Sequence, residues 1–116
     1  MINENETRRL ELNSVGPLLS SEADASDILG EAFAIEAFII VLPVSRIDPA
    51  FFDLGTKLAG GFIQKLQNYH RRLFVLGDIS DHLAASKALQ DFVRETNRTG
   101  HHGFVPDRAA LEAALS

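Results

Sequence analysis

The chain has no cysteine and no tryptophan, and only one methionine and one tyrosine among its 116 residues. Without thiols there is no disulfide framework, thiolate nucleophile, iron–sulfur cluster or cysteine-based zinc site. Basic clusters are scarce as well. Beyond Arg8 and Arg9, and Arg71 and Arg72, no two basic residues adjoin, and the formal net charge is −5. This excludes a nucleic-acid surface of the usual basic kind. The longest apolar run, residues 37–44 (AFIIVLPV), falls far short of the roughly 20 residues that a membrane span needs. The first ten residues, MINENETRRL, carry charge where a secretory leader would be apolar, so no signal peptide is expected and the expected location is cytoplasmic. Internal repeats, low-complexity tracts and linkers are absent.

What remains is one domain's worth of chain. At 46% hydrophobic residues it can build a core from side chains alone, burying roughly two thirds of its unfolded surface. No metal, cofactor or cross-link is needed for folding, and none is expected.

Residues 1–6 are polar and expected to fray. Residues 8–13 alternate Leu10 and Leu12 with charged neighbours, as a half-buried edge strand does. Turn residues 14–17 precede Leu18 and Leu19, which are expected to return as an antiparallel hairpin partner, although Pro17 limits ladder bonds. Ser20 or Ser21 can cap a helix over residues 22–33, whose apolar stripe is Ala25, Ile28, Leu29, Ala32 and Phe33. The run 37–44 has no period and is rich in β-branched and aromatic residues, which predicts a parallel strand covered on both faces. A short turn at residues 49–52 leads to a main helix from Leu54 to Tyr69, with Leu54, Leu58, Phe62 and Leu66 on one face. A second buried strand (LFVL, residues 73–76) follows. Then come a turn or partial helix at 80–84, a helix from Ser86 to about Thr96, a short strand at 102–105, and a closing helix capped by Asp107. The predicted fold is α/β: a single open, mostly parallel sheet of four to five strands with alternating helices and an antiparallel edge hairpin at the N-terminus. Gly60 and Gly61 each cost the main helix about 1 kcal/mol relative to alanine, so close packing on a neighbour is the expected reason.

In open parallel sheets ligands collect beyond the carboxyl ends of the strands. Asp48 and Asp53 follow one central strand, Asp78 and Ser80 the next, and convergent carboxylates there would serve acid–base work or Mg²⁺. Taken singly, each aspartate also reads as a helix cap or turn residue. His101 and His102 are adjacent on an extended segment, which makes them poor co-ligands. Tyr69, Asn97 and Arg98 close helices at the other end of the sheet and form a candidate interface, through which self-association into a homodimer is expected.

Phe51-Phe52-Asp53-Leu54, Leu58-Ala59-Gly60, Gln64-Lys65, Asn68-Tyr69, Gly77-Asp78, Asp91-Phe92, Glu95 and Asn97-Arg98 together resemble the bacterial family known as domain of unknown function 4180. The family pattern has an acidic residue after the Ala-Gly pair, where this chain has Gly61. More distantly it is similar to STAS domains, the fold of anti-sigma factor antagonists, which bind partner proteins and are switched by phosphorylating a hydroxyl at a helix start. That resemblance implies a regulatory protein-binding module, with Leu54 and Gly55 standing where the phosphorylated hydroxyl belongs and Thr56 the nearest substitute. The alternative is a small-molecule-binding protein or minor enzyme using Asp48, Asp53 and Asp78. A deep pocket lined by the three aspartates would favour the second, and a flat apolar patch around residues 51–58 the first.

Overall fold

The apolar run becomes a central strand of the sheet. The computed structural model describes residues 8–116; the expected fraying of residues 1–6 lies outside them. The strands are β1 (Arg9–Glu11), β2 (Ile39–Pro43), β3 (Arg72–Leu76) and β4 (Gly103–Val105). All five residues of β2 are buried, as expected of a strand covered on both faces. The helices are α1 (Glu22–Ala34), α2 (Leu58–Asn68), α3 (Ser80–Ala85), α4 (Lys87–Thr99) and α5 (Arg108–Leu115), with short 3₁₀ turns at Val44–Arg46, Pro49–Phe52 and Leu54–Thr56.

The four strands lie side by side in chain order and every pairing is parallel. Successive crossovers of one hand therefore stack α1, α2 and α4 on one face. Ile40, Leu42, Leu73, Val75 and Phe104 point into that layer, against Ile28, Leu29, Phe62, Leu66 and Leu89. The opposite face carries Ile39, Val41, Phe74 and Val105, and Leu111 of α5 packs on them. Two bidentate ion pairs tie α5 across to the edge strand: Arg9 to Glu112 at 2.7 and 2.8 Å, and Arg108 to Glu11 at 2.6 and 2.7 Å. The hydrogen bonds from these arginines hold both carboxyls below their ordinary pKa.

The expected antiparallel hairpin is not formed. β1 pairs in parallel with β2, and Leu19 makes only an isolated parallel bridge to Ile47. The reason lies in the 13–17 loop, which Arg46 holds by donating from Nε to the Pro17 carbonyl and from Nη1 to that of Asn13, while Ser45 Oγ donates to the Ser14 carbonyl. The loop is drawn onto the segment after β2, and β1 opens a β-α-β unit directly. The main helix also starts later than its leucine spacing suggests. Asp48 caps the 3₁₀ turn at Pro49–Phe52 and Asp53 that at Leu54–Thr56, and Lys57 in the left-handed conformation (φ 63°) separates these two turns from α2.

Candidate functional site

At the carboxyl ends of β2 and β3 the aspartates serve local structure. Asp48 Oδ1 accepts from the Ala50 N–H at 2.9 Å, Asp53 Oδ1 from Gly55 at 3.0 Å, and Asp78 Oδ1 from Ser80 at 2.8 Å. The hydrogen bonds from Ser80 draw the Asp78 carboxyl below its usual pKa. Asp78 and Ser80 line a cleft of about 270 Å³ with Ile79, Leu83, Val93, Asn97 and Phe104, and neither Asp48 nor Asp53 reaches it. Among the described residues, Asp78 is the only ionisable group in that lining. Among the described residues, no group of three or more histidines and carboxylates is placed to hold a metal ion. The Thr56 hydroxyl accepts from the Leu58 N–H at 3.2 Å and has the carbonyls of Ala50 and Asp53 both at 2.8 Å. It pins the two 3₁₀ turns together. Phe51 and Phe52 beside it are buried, so residues 51–58 do not present those rings as an apolar patch.

A cluster of exposed apolar residues lies at the opposite end of the sheet, while Val15 and Leu18, also exposed, lie in and beside the 13–17 loop. α1 and α2 each finish in a Schellman-type turn on a non-glycine left-handed residue, Glu36 (φ 57°) and His70 (φ 61°). In each, the N–H three residues past the helix returns to it: Ala37 to the Ala32 carbonyl at 2.8 Å, and Arg71 to that of Leu66 at 3.0 Å. Arg71 joins the two turns, donating from Nε to the Ala37 carbonyl (3.1 Å) and from Nη1 to that of Tyr69 (2.8 Å). Its guanidinium lies 4.5 Å from the centroid of Phe33 and 4.2 Å from that of Phe38. Burial lowers its pKa from the usual arginine value. Phe33 meets Tyr69 edge to face at 5.7 Å, and Phe33, Ile35 and Tyr69 all remain exposed.

Of the interface residues expected from sequence, only Tyr69 contributes to this cluster. Asn97 turns to β4, its Oδ1 accepting from the Phe104 N–H at 2.7 Å and its Nδ2 donating to the Phe104 carbonyl at 3.2 Å. Arg98 pairs with Glu95 on the exposed side of α4. Phe33, which the helical period puts in the buried stripe, stands out of it. Arg71 stands out in the sequence only as half of a basic pair, although an arginine directly before a buried strand is where a partly covered cation would fall.

A third feature joins α2, β3 and β4. His102 is buried, and its Nδ1 accepts from the Leu73 N–H at 3.0 Å, which leaves the proton on Nε2, 3.2 Å from Gln67 Oε1. Desolvation, with His101 and Arg72 nearby, lowers its pKa to about 4. Both ring nitrogens are thus engaged and the ring is neutral at pH 7. A shallow groove between α2 and α4 runs over it, lined by Gly60, Gln64, Phe92 and Thr96.

The model of one protein family, described as "Domain of unknown function (DUF4180)", matches residues 4–115. The chain belongs to that family. No curated protein and no solved structure matches it. In this DUF4180 chain the most distinctive segment is structural: Phe51 contacts Phe52 and Phe62 edge to face at 5.4 and 5.8 Å, and Phe52 stacks on His82 at 4.4 Å. The Glu22 carboxylate of α1 occupies the space where a side chain at Gly61 would begin, whereas Gly60 meets nothing within 4 Å. Gly77 (φ 144°) lies against Val44 and turns the chain out of β3. Among the described residues, no helix is long and apolar enough to cross a membrane.

Proposed function

We propose that this DUF4180 chain is a non-catalytic, STAS-like regulatory module of the cytoplasm that binds a protein partner through the Phe33–Tyr69–Arg71 surface. The observation that carries this reading is the exposure of Phe33 (45%) and Tyr69 (48%) around an arginine that is itself only 8% exposed. Aromatic residues and arginine are enriched where protein interfaces concentrate their binding energy. Covering one such ring is worth about 1.5–3 kcal/mol, less what is already buried. A parallel sheet backed on one face by α1, α2 and α4 supports the STAS-like part of the reading. The hydroxyl expected in such modules is replaced by Leu54 and Gly55, and the Thr56 hydroxyl is held by backbone groups. Regulation in this chain therefore runs through partner binding and not through a phosphate at that loop.

The small-molecule alternative has one observation in its favour, the cleft that Asp78 and Ser80 line. It has no second ionisable group there for acid–base work. Capture of partners on the tagged chain from its host's lysate, followed by mass spectrometry, separates the two readings. A reproducible partner that is lost with F33S/Y69S and kept with D78N is the expected result. No partner, together with a ligand-induced thermal shift that D78N abolishes, would transfer the function to the cleft.

A further inference from the structure

We infer that the partner presents a glutamate or aspartate side chain flanked by apolar residues, and that Arg71 receives its carboxylate. This rests on reading the Phe33–Tyr69–Arg71 surface as the docking site. Arginine carries five N–H donors in a fixed fork. In Arg71 the bonds to Ala37 and Tyr69 occupy Nε and one position of Nη1, and Nη2 has no acceptor among the described residues. No side-chain nitrogen or oxygen is buried without a partner among the described residues, so Nη2 reaches the surface. Phe33 and Phe38 pack against the guanidinium, their ring centroids 4.5 and 4.2 Å from its central carbon. Nη2 is thus the part of the group left for a ligand, and it presents N–H donors.

No carboxylate of the described residues lies within ion-pair distance of Arg71; the nearby Glu36 is engaged by Arg8 at 3.4 Å. A largely buried cation without a counter-ion among the described residues selects an anion, and a guanidinium edge matches the planar, two-oxygen geometry of a carboxylate. The rings of Phe33 and Tyr69 beside it require apolar neighbours on the same ligand. The net charge of −5 repels a polyanion, so a single carboxylate in an apolar setting fits where a nucleic acid or a phosphate-rich surface does not.

The test uses the full ¹⁵N-labelled chain titrated by NMR with acetyl-Leu-Glu-Leu-amide and, separately, with its glutamine counterpart. The expected result is movement of the Arg71 Nε–H signal and of the Ile35, Phe38 and Tyr69 amides, with the glutamate peptide roughly tenfold tighter. In R71Q the two peptides should become equal. Because Arg71 also joins two turns, Y69S provides a second check: it should weaken both peptides while preserving their ratio. Equal binding of the two peptides to the unmodified chain would overturn the carboxylate inference and leave the docking surface standing. Absence of any shift at this surface, or a concentration-dependent dimer abolished by Y69S, would overturn the inference by removing the ligand or by making a second copy the occupant. The lysate capture then decides the broader reading independently.

Discussion

Among the chain's four histidines, His102 has its tautomer fixed by the fold. The Leu73 N–H demands an unprotonated Nδ1, so charging the ring forfeits that bond and places a cation in a buried setting. Its pKa falls from 6.5 to about 4 in the folded state, so between those values the unfolded chain binds more protons. Stability from this group is therefore complete above pH 6.5 and is lost as the pH falls through about 4. Its upper limit is ~3 kcal/mol, reduced by solvent entering from the α2–α4 groove. His101, also lowered chiefly by desolvation, adds with the same sign. Replacing His102 by alanine leaves the Leu73 N–H without its acceptor and should cost about 1–3 kcal/mol at pH 7. Urea unfolding at pH 7 and pH 5 should also show a flatter pH dependence in H102A. An unchanged slope would mean that the titrating group is elsewhere.

The elements differ in how much of themselves they advertise. β2 was legible because eight apolar residues without a period fit only a doubly covered strand, and α4 was legible because Ser86 and Gly100 mark its ends; Gly100 takes the left-handed cap at φ 77°. The ends of α1 and α2 carry no such mark. Glu36 and His70 adopt the same conformation without being glycine, and the surface those turns build around Arg71 was hidden with them. Phe33 was misplaced because a period of 3.6 cannot tell the last turn of a stripe from the first exposed residue beyond it. The glycine pair in α2 was read as a packing device, and only half of that holds: Gly61 has Glu22 over it, whereas Gly60 faces open space. Gly60→Ala should therefore raise stability by about 1 kcal/mol through helix propensity alone. A chemical-denaturation midpoint that stays unchanged or falls would show that Gly60 serves the groove between α2 and α4 instead.

For the molecule as a whole, the two faces of the sheet are unequally protected. One is covered by three helices, whereas α5, eight residues long, is the helix packed on the other. A β-α-β chain in sequential order puts its crossovers on one side, so the second face needs an element from beyond the last strand. Asp107 starts it by capping the Ala110 N–H at 2.8 Å, and the two arginine–carboxylate pairs fix its direction across β1. These pairs are exposed and each contributes at most about 1 kcal/mol. The hold on the sheet is therefore apolar and rests on Leu111, the one α5 residue that is fully covered. The closing helix and its cap were legible in the sequence, but the cross-sheet pairs were not, because Arg9 and Glu112 are 103 residues apart and nothing local links them. Leu111→Ala should cost about 2–5 kcal/mol, far more than Glu112→Ala. Its effect should reach beyond α5, since Val41 and Phe74 would lose their cover and the exposed sheet face would bind a hydrophobic dye and promote association. Thermal melts of L111A and E112A, paired with dye binding and sedimentation, measure this directly. Equal losses in the two variants would place the anchor of α5 in its ion pairs.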